Sequence, residues 1–272
     1  MRGRSWISLV VTLVWFGSMS ALVARDVLPA WRAKPIPPVA TRELVKRLGS
    51  RHQAGIFDGQ ERRIGTTWSN YVSAAGLLVT TTTAFDRAGL LSGCVIESQI
   101  RFTEDDTLDE VELCAQGPGV SIELKGENYD PHFPCELKIG TVVHSFKLDA
   151  KAAAMLSDAI RPFHSLPKLE GGTAWTMEVF DLLGAVSQRK ARISPVVVKV
   201  TGKETIEVGG KRVACFVVES NRVRAWANAD GLVLVQEMDL PVIGRMVIRD
   251  EAFDESSRIA ARQRMRRLRD HE

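Results

Sequence analysis

The sequence predicts a mainly β protein, a β-rich α+β chain whose curved antiparallel sheet wraps a central helix behind an N-terminal transmembrane helix. Three observations predict this class. Short runs of alternating apolar and polar residues recur from about residue 64 onward, and Asn, Asp and Gly turn signals separate them. Strand–helix–strand alternation is absent from the pattern. We count about ten strands against one or two helices in the body, a ratio typical of antiparallel sheets.

The first 24 residues contain a long apolar run behind a basic start. Arg2 and Arg4 precede it, and residues 6–23 carry no charged side chain. As a helix, these eighteen residues would span roughly 27 Å, close to the ~30 Å hydrocarbon core of a bilayer. We therefore expect residues 1–24 to be a membrane anchor crossing at 6–23, with a cleaved signal peptide as the alternative.

Residues 25–40 are rich in proline, which favours extended backbone, so they are expected to be a stiff linker that holds the body away from the membrane. A short helix should follow, with Thr41 as its N-cap and Gly49 at its end. We assign residues 41–254 to one antiparallel β domain and residues 255–272 to a basic C-terminal tail, either a helix or a frayed end.

The segment "CVIESQIRFTEDDTLDEVELC" is the clearest hairpin of the first half. A turn at Asp105-Asp106 places Ile100 opposite Val111 and Ser98 opposite Leu113, so the apolar faces match. The next strand turns Ile122 and Leu124 inward. A change of phase near Gly140 predicts a bulge or a turn there.

A helix is expected near residues 150–161. Asp149 can cap it, and its apolar residues fall on one helical face until Pro162 disturbs the end. Such a stripe buries itself most simply in the concave face of a curved sheet. A second strand series follows, in which Gly209-Gly210 makes a tight hairpin that pairs Ile206 with Val213 and Val208 with Lys211.

The segment "RVRAWANADGLVLVQEMDLP" predicts a further hairpin, because Asn228, Asp230 and Gly231 tolerate positive φ. Its arms are apolar on both faces. We place Val223, Ala225 and Leu234 on one face and Trp226, Val233 and Val235 on the other. Trp175 and Trp226 could line an apolar binding surface, although buried packing is the expected role of both.

The second half, with "GGTAWTMEVFDLL", "VTGKETIEVGGKRVACFVVES" and "RAWANADGLVLVQE" in succession, resembles uncharacterised bacterial envelope proteins with a domain of unknown function. That domain is similar to the lipoprotein-carrier (LolA-like) half-barrel. The resemblance covers roughly residues 60–250 and implies an antiparallel half-barrel around a helix. It also implies a cell-envelope location: a single-pass inner-membrane protein with its body outside the cytoplasm, or a periplasmic protein if the signal is cleaved.

The charge distribution argues against nucleic-acid binding. The net charge is +3, residues 1–40 contribute five basic and one acidic side chain, and residues 258–272 contribute six arginines against two acids. Subtracting these two contributions of +4 leaves −5 for residues 41–257. A nucleic-acid-binding domain needs a basic face on its folded body.

The four cysteines, Cys94, Cys114, Cys135 and Cys215, are expected to be free thiols. Cys94 and Cys114 fall on opposite faces of the predicted hairpin, which prevents a bridge between them. Cys215 alternates with Val213 and Val217 and is expected to be buried.

Few residues suggest chemistry. In "DPHFPCE", His132 and Cys135 could bind a metal or act as base and nucleophile, but further ligands are lacking, so we interpret the segment as a loop fixed by Pro131 and Pro134. The acidic segment 104–112 lacks the glycine and ligand spacing of a calcium loop. Motifs of hydrolases, phosphate-binding loops and zinc proteases do not occur. We expect no catalytic residues, cofactor or metal, and the ligand-binding residues stay unassigned.

We therefore expect a membrane-anchored, extracytoplasmic, non-enzymatic protein that binds a hydrophobic or lipid-linked ligand or a partner polypeptide. This expectation rests on the apolar residues on both faces of the strands. Apolar surface that the chain itself does not cover is expected to contact a ligand or a partner. The alternative is a structural or accessory subunit of an envelope assembly such as a transporter. A closed cavity would favour the ligand, and an exposed sheet edge or flat patch would favour the assembly.

Overall fold

The computed structural model describes residues 49–270 except 75, 106, 130–131, 150–165, 181–192, 222 and 241–243, and before them only residues 15, 18, 34, 35 and 45. Strand accounts for 66% of it, which confirms the mainly β class. The strands are β1 (Lys34–Pro35), β2 (Arg51–Asp58), β3 (Arg63–Ala74), β4 (Gly76–Phe85), β5 (Val95–Phe102), β6 (Leu108–Gly117), β7 (Val120–Glu127), β8 (His132–Ile139), β9 (Val142–Asp149), β10 (Ala174–Phe180), β11 (Ile193–Val208), β12 (Lys211–Glu219), β13 (Val223–Ala227), β14 (Val233–Leu240) and β15 (Gly244–Glu251). A 3₁₀ turn spans Gly89–Leu91, and the helix α1 spans Glu255–Asp270.

Strands β2 to β15 form one curved antiparallel sheet. The chain enters at the middle of this sheet and winds outward through consecutive hairpins from β2 to the edge strand β9. It then returns to the opposite edge at β10 and winds inward until β15 pairs with β2, which sets Ile248 opposite Ile56. The two-residue strand β1 lies parallel to β10, so Lys34 and Pro35 of the predicted linker contact the sheet at that edge.

The structure confirms the predicted pairs Ile100–Val111, Ser98–Leu113, Ile206–Val213 and Val208–Lys211. The two-residue turn between β11 and β12 explains the last two pairs, since it leaves the flanking strands only one register, whereas the first two follow from the matching apolar alternation of β5 and β6. Gly209 and Gly210 both have positive φ, as a turn of this kind requires. Gly140 lies in the equally short turn between β8 and β9, which accounts for the change of phase there.

The hairpin of β13 and β14 differs from its prediction in one respect. Asn228 Oδ1 accepts hydrogen bonds from the backbone N–H groups of Asp230 and Leu232, both at 3.0 Å, and this fixes the turn. A bulge follows, because Trp226 pairs with Val235 whereas Ala227 pairs with Val233. The extra residue, Leu234, therefore packs on the side of Trp226, and Val233 packs with Ala225. The prediction had these two positions on the wrong faces.

One face of the sheet, here called the inner face, carries three clusters of buried apolar side chains along its whole width. The chain itself supplies part of the cover. Leu166 and Leu169, from the connection that precedes β10, are buried against Trp175 and Val198. Val45 packs against the cluster of β3 to β9. The apolar side chains of the described inner face are thus engaged in packing.

Helix α1 lies on the opposite, outer face, over β4, β5 and β6. Ala261 and Met265 are buried there against Trp68, Ala84 and Val95. At its start, Asp254 accepts hydrogen bonds from the backbone N–H groups of residues 256 and 257 and from their hydroxyls, the N-cap arrangement. The basic C-terminal segment is therefore a helix docked on the sheet.

Several predicted elements lie outside the described residues. These are the anchor over residues 6–23, apart from helical Trp15 and Ser18, and the central helix near residues 150–161. Of the short helix after Thr41, Val45 is helical and its carbonyl accepts a hydrogen bond from Gly49 N–H at 2.9 Å. Gly49 has φ +79°, as expected of a helix-ending glycine. None of the helices in the described part of the chain combines the length and apolar character that a membrane span needs.

Candidate functional site

An open groove of about 570 Å³ crosses four strands on the outer face of the sheet, next to the edge strand β9. Two rows of outward side chains form its walls, and each of β6, β7, β8 and β9 supplies one residue to each row. The first row is Glu112, Lys125, Glu136 and Ser145, and the second is Glu110, Glu127, Pro134 and Lys147. The floor is the backbone between the rows, at Val111, Gly126, Cys135 and Phe146, whose side chains belong to the inner face. We call this depression the outer groove.

Pro134 explains why the pairing of β7 with β8 is interrupted here. The pairing of β7 with β8 ends at Gly126 and Cys135, and Pro134, which has no N–H to donate, is the next residue of β8. Beyond it, Tyr129 and His132 exchange two backbone hydrogen bonds of 3.0 and 3.1 Å. Between these two points the β7–β8 ladder is interrupted, at one end of the groove.

Gly126 supports the same region from the inner face. A Cβ atom at this position would lie 2.5 Å from the ring of Phe133 and 2.9 Å from Cys135 Sγ. The missing side chain therefore lets the fully buried Phe133 ring lie across β7. Phe133 and Cys135 anchor β8 from below, while the outward residues of the same strand stay at the groove.

The groove is acidic, since its walls carry four glutamates against two lysines. Lys125 Nζ lies 3.7 Å from Glu112 Oε1, a long contact between exposed groups. Arg101, outside the groove, lies 3.2 Å from Glu110. Within the described part of the chain, Glu136 and Lys147 form no ion pair. Exposed ion pairs are weak, so most of these charges are available to a partner.

Tyr129 is the main apolar surface of the groove, with 63% of the residue exposed. Its hydroxyl donates a 2.9 Å hydrogen bond to Glu127 Oε2, and this bond raises the pKa of the tyrosine. This bond holds the exposed ring at the groove. Sequence reasoning did not select Tyr129, although it lies three residues before the singled-out His132.

His132 and Cys135 are not arranged as a base and a nucleophile. Both belong to β8, so the expectation of a loop is wrong for residues 132–136, and their separation by three residues puts them on opposite faces. Cys135 is buried, its S–H is directed at Phe133 O at 3.7 Å, and burial raises its pKa to about 11. His132 is exposed at the start of the strand.

All four cysteines are free, as predicted, and three of them are buried. Cys215 is 1% exposed within the outer cluster of β11 to β15. Burial raises the pKa of Cys94 to about 11 and also raises that of Cys215. These thiols are therefore small core residues.

The two candidate tryptophans are buried, as expected. Trp175 packs in the inner face beneath Leu166. Trp226 lies in the outer face, donates its Nε1–H to Glu204 Oε2 at 2.7 Å and is covered by the Arg224 guanidinium at 4.9 Å. In the described ranges, no group of three or more His, Cys, Asp or Glu side chains is placed to hold a metal ion, and this search includes the described part of the acidic segment 104–112.

Comparison with known proteins returned no match to a protein-family model, a curated protein or a solved structure.

Proposed function

We propose that this protein is a non-enzymatic binding protein, anchored in a membrane by residues 6–23 with its body outside the cytoplasm, and that the outer groove binds an extended basic segment of a partner polypeptide. The observation that carries the proposal is the open, acidic, four-strand groove beside a sheet edge. A cell-envelope location and a relationship to the lipoprotein-carrier half-barrel belong to the same proposal, and they rest on the sequence.

The dimensions of the groove suit an extended chain. Neighbouring strands lie about 4.8 Å apart, so four strands span roughly 14–19 Å. An extended peptide advances ~3.3 Å per residue and would cover this distance with about five residues. Its alternate side chains would meet the two walls in turn, as they do in other extended-peptide complexes.

The chemistry of the walls selects the charge of the partner. Carboxylates outnumber ammonium groups by four to two in the groove, which favours lysine or arginine in the ligand. The exposed ring of Tyr129 offers a surface over which such a cation, or an aliphatic stem, can lie. Glu136 and Lys147 lie nearest the β9 end and would fix the direction of the bound chain.

The inner face supports a hydrophobic or lipid-linked ligand less well. Its described apolar clusters are buried, and Leu166, Leu169 and Val45 already cover parts of them. A partner polypeptide therefore accounts better for what the structure leaves exposed. A lipid that co-purifies in stoichiometric amount with the protein would reverse this preference.

The alternative function, a structural or accessory subunit of an envelope assembly, is supported by the edge strand β9. Val142 and Val143 are 40% and 51% exposed at its first two positions. Among the described strands, none pairs with the edge of β9 that faces away from β8. An unprotected edge of this kind can add a strand from another subunit. Val142→Lys combined with Val143→Lys should then abolish assembly and leave groove binding intact.

Binding of defined peptides to the full-length protein in detergent tests the groove. A fluorescein-labelled heptapeptide of alternating lysine and threonine should bind, and its glutamate counterpart should not. Replacing Glu127 and Glu136 together by glutamine should weaken binding about fivefold or more, because two charge pairs are lost. The matched control, Glu170→Gln with Glu207→Gln, removes two exposed carboxylates elsewhere and should have no effect. Equal binding of both peptides, or an equal effect of both double variants, would refute the proposal.

A further inference from the structure

Helix α1 has two sides with different partners. Its inward side is fixed by Ala261 and Met265. Two arginines reinforce the contact, because Arg262 Nε lies 3.2 Å from Glu97 Oε1 and Arg264 Nη1 lies 3.0 Å from Asp86 Oδ1. These contacts hold the helix in one orientation, so its other side is presented to the surroundings in a fixed way.

The outward side combines an apolar residue with unpaired cations. Ile259 is 46% exposed, and Gln263, Arg266 and Arg267 are exposed at the fourth, seventh and eighth positions after it, which places them along one helical face. Arg266 and Arg267 form no ion pair with any described residue, whereas Arg258, Arg262 and Arg264 of the same helix each have a carboxylate partner. We call Ile259, Gln263, Arg266 and Arg267 the outward face of α1.

We propose that the outward face of α1 binds the surface of a membrane that contains anionic phospholipids. Two exposed guanidinium groups beside one aliphatic side chain, on a helix held in one orientation, match an array of phosphates above an apolar layer. Guanidinium groups bind phosphate oxygens in a bidentate manner. Ile259 would enter the interface, as the apolar side of a membrane-surface helix does.

The charge of the neighbouring surface favours a membrane over a nucleic acid. Beside the helix, Glu97 of the outer face is already engaged in an ion pair with Arg262. Residues 41–257 have a net charge of −5. A nucleic acid that follows the domain surface would be repelled by this body, whereas a flat lipid surface needs to touch only the helix.

The outward face of α1 does not depend on the outer groove. The proposed anchor would only raise the local concentration of this face at the membrane. Each arginine near an anionic bilayer contributes about fivefold in affinity. Loss of both arginines should therefore reduce the affinity of the helix for the bilayer about 25-fold, and charge reversal should reduce this affinity further.

Full-length protein carrying Ile259→Cys, labelled with an environment-sensitive fluorophore in a Cys114→Ser background, provides the test. The other three cysteines are buried. In vesicles with about 30 mol% phosphatidylglycerol the label should shift to the blue and be quenched by spin-labelled lipid. In neutral phosphatidylcholine vesicles, or in about 0.5 M NaCl, it should not.

Arg266→Glu with Arg267→Glu should abolish the lipid-dependent signal, and Arg266→Lys with Arg267→Lys should retain most of it. The matched control reverses Lys211 and Arg212, an exposed adjacent pair at the turn after β11, and should leave the signal unchanged. The proposal would be overturned by a signal that does not depend on lipid charge, by an equal loss of signal in the control, or by tighter binding to single-stranded RNA than to the vesicles. Sedimentation with neutral vesicles tests the anchor separately, because the anchor should bind vesicles of any charge. If only anionic vesicles bound the protein, the anchor would be disproved and the role of the helix supported.

Discussion

At the residue scale, Gly231 meets two constraints at once. Its φ is +85°, and a Cβ atom there would lie 2.0 Å from the carbonyl oxygen of Leu166. The same close approach lets Leu166 N–H donate a 3.1 Å hydrogen bond to Gly231 O. This glycine thus joins the turn after β13 to the connection that covers the inner face.

Gly231→Ala should therefore lower the free energy of unfolding by at least about 3 kcal/mol, because a steric clash adds to the cost of positive φ. Gly210→Ala is the matched control, since Gly210 has φ +73° and no neighbour within 4 Å of an added Cβ. It should cost about 1 kcal/mol. Chemical denaturation of both variants measures the difference, and equal costs would show that the contact with Leu166 does not matter.

The buried thiols give a pH-dependent prediction. A thiol with its pKa near 11 is about 0.1% ionised at pH 8, against about 10% for the ordinary value of 9.0. Iodoacetamide should thus label Cys94 and Cys135 at least about 100-fold more slowly in the folded protein than after denaturation. The folded-state rate should rise with pH until about 11, since only the thiolate reacts. Rapid labelling of either residue at pH 8 would contradict the packing described for them.

At the element scale, the outer groove depends on the interruption of the β7–β8 ladder at Pro134. Pro134→Val restores an N–H donor in β8 and should let the two strands pair further. We expect slower amide hydrogen exchange around residues 127–134, together with weaker binding of the basic peptide. Pro118→Val, in the turn between β6 and β7, is the control and should change neither quantity. Unchanged exchange in Pro134→Val would show that the proline does not shape the groove.

The attachment of α1 can be tested with two apolar residues of the same helix. Met265 is 1% exposed beneath it, and Ile259 is 46% exposed on the other side. Met265→Ala should lower the free energy of unfolding by about 3 kcal/mol, the usual cost of a large-to-small change in a core. Ile259→Ala should cost less than about 0.5 kcal/mol. Thermal unfolding followed by circular dichroism measures both variants. If both melted like the parent protein, α1 would be a free tail and not a docked helix.

Hairpins with clear alternation and turn residues were predictable, whereas a bulge without a sequence signal was not. The registers around the Gly209-Gly210 turn and around the acidic turn after Phe102 followed from alternation and turn residues alone. The bulge between Trp226 and Ala227 added one residue without a recognisable sequence signal, so Val233 and Leu234 were assigned to the wrong faces. Pro134 was taken as a loop residue because proline is rare inside strands, and for that reason the groove was missed.

At the scale of the whole molecule, the sheet is continuous because β15 pairs with β2, so the chain begins and ends its body in the middle of the sheet. Alternating residues predicted antiparallel strands but not this pairing, since contacts between residues far apart in sequence leave no local pattern. The count of about ten strands was too low for a different reason, because long, consecutive hairpins run together in the sequence pattern. The arrangement leaves β9 as a free edge among the described strands, with the outer groove beside it.

The outer groove as the binding site of a basic, extended polypeptide is the central claim, and the position of a bound peptide tests it most directly. The lysine–threonine heptapeptide, synthesised with a photoreactive benzoylphenylalanine at its centre, would be cross-linked to the full-length protein and the product mapped by mass spectrometry. The account predicts cross-links to the groove walls, within residues 110–112, 125–129, 134–136 and 145–147. Cross-links concentrated on the inner face, or spread evenly over acidic residues of the surface, would contradict it.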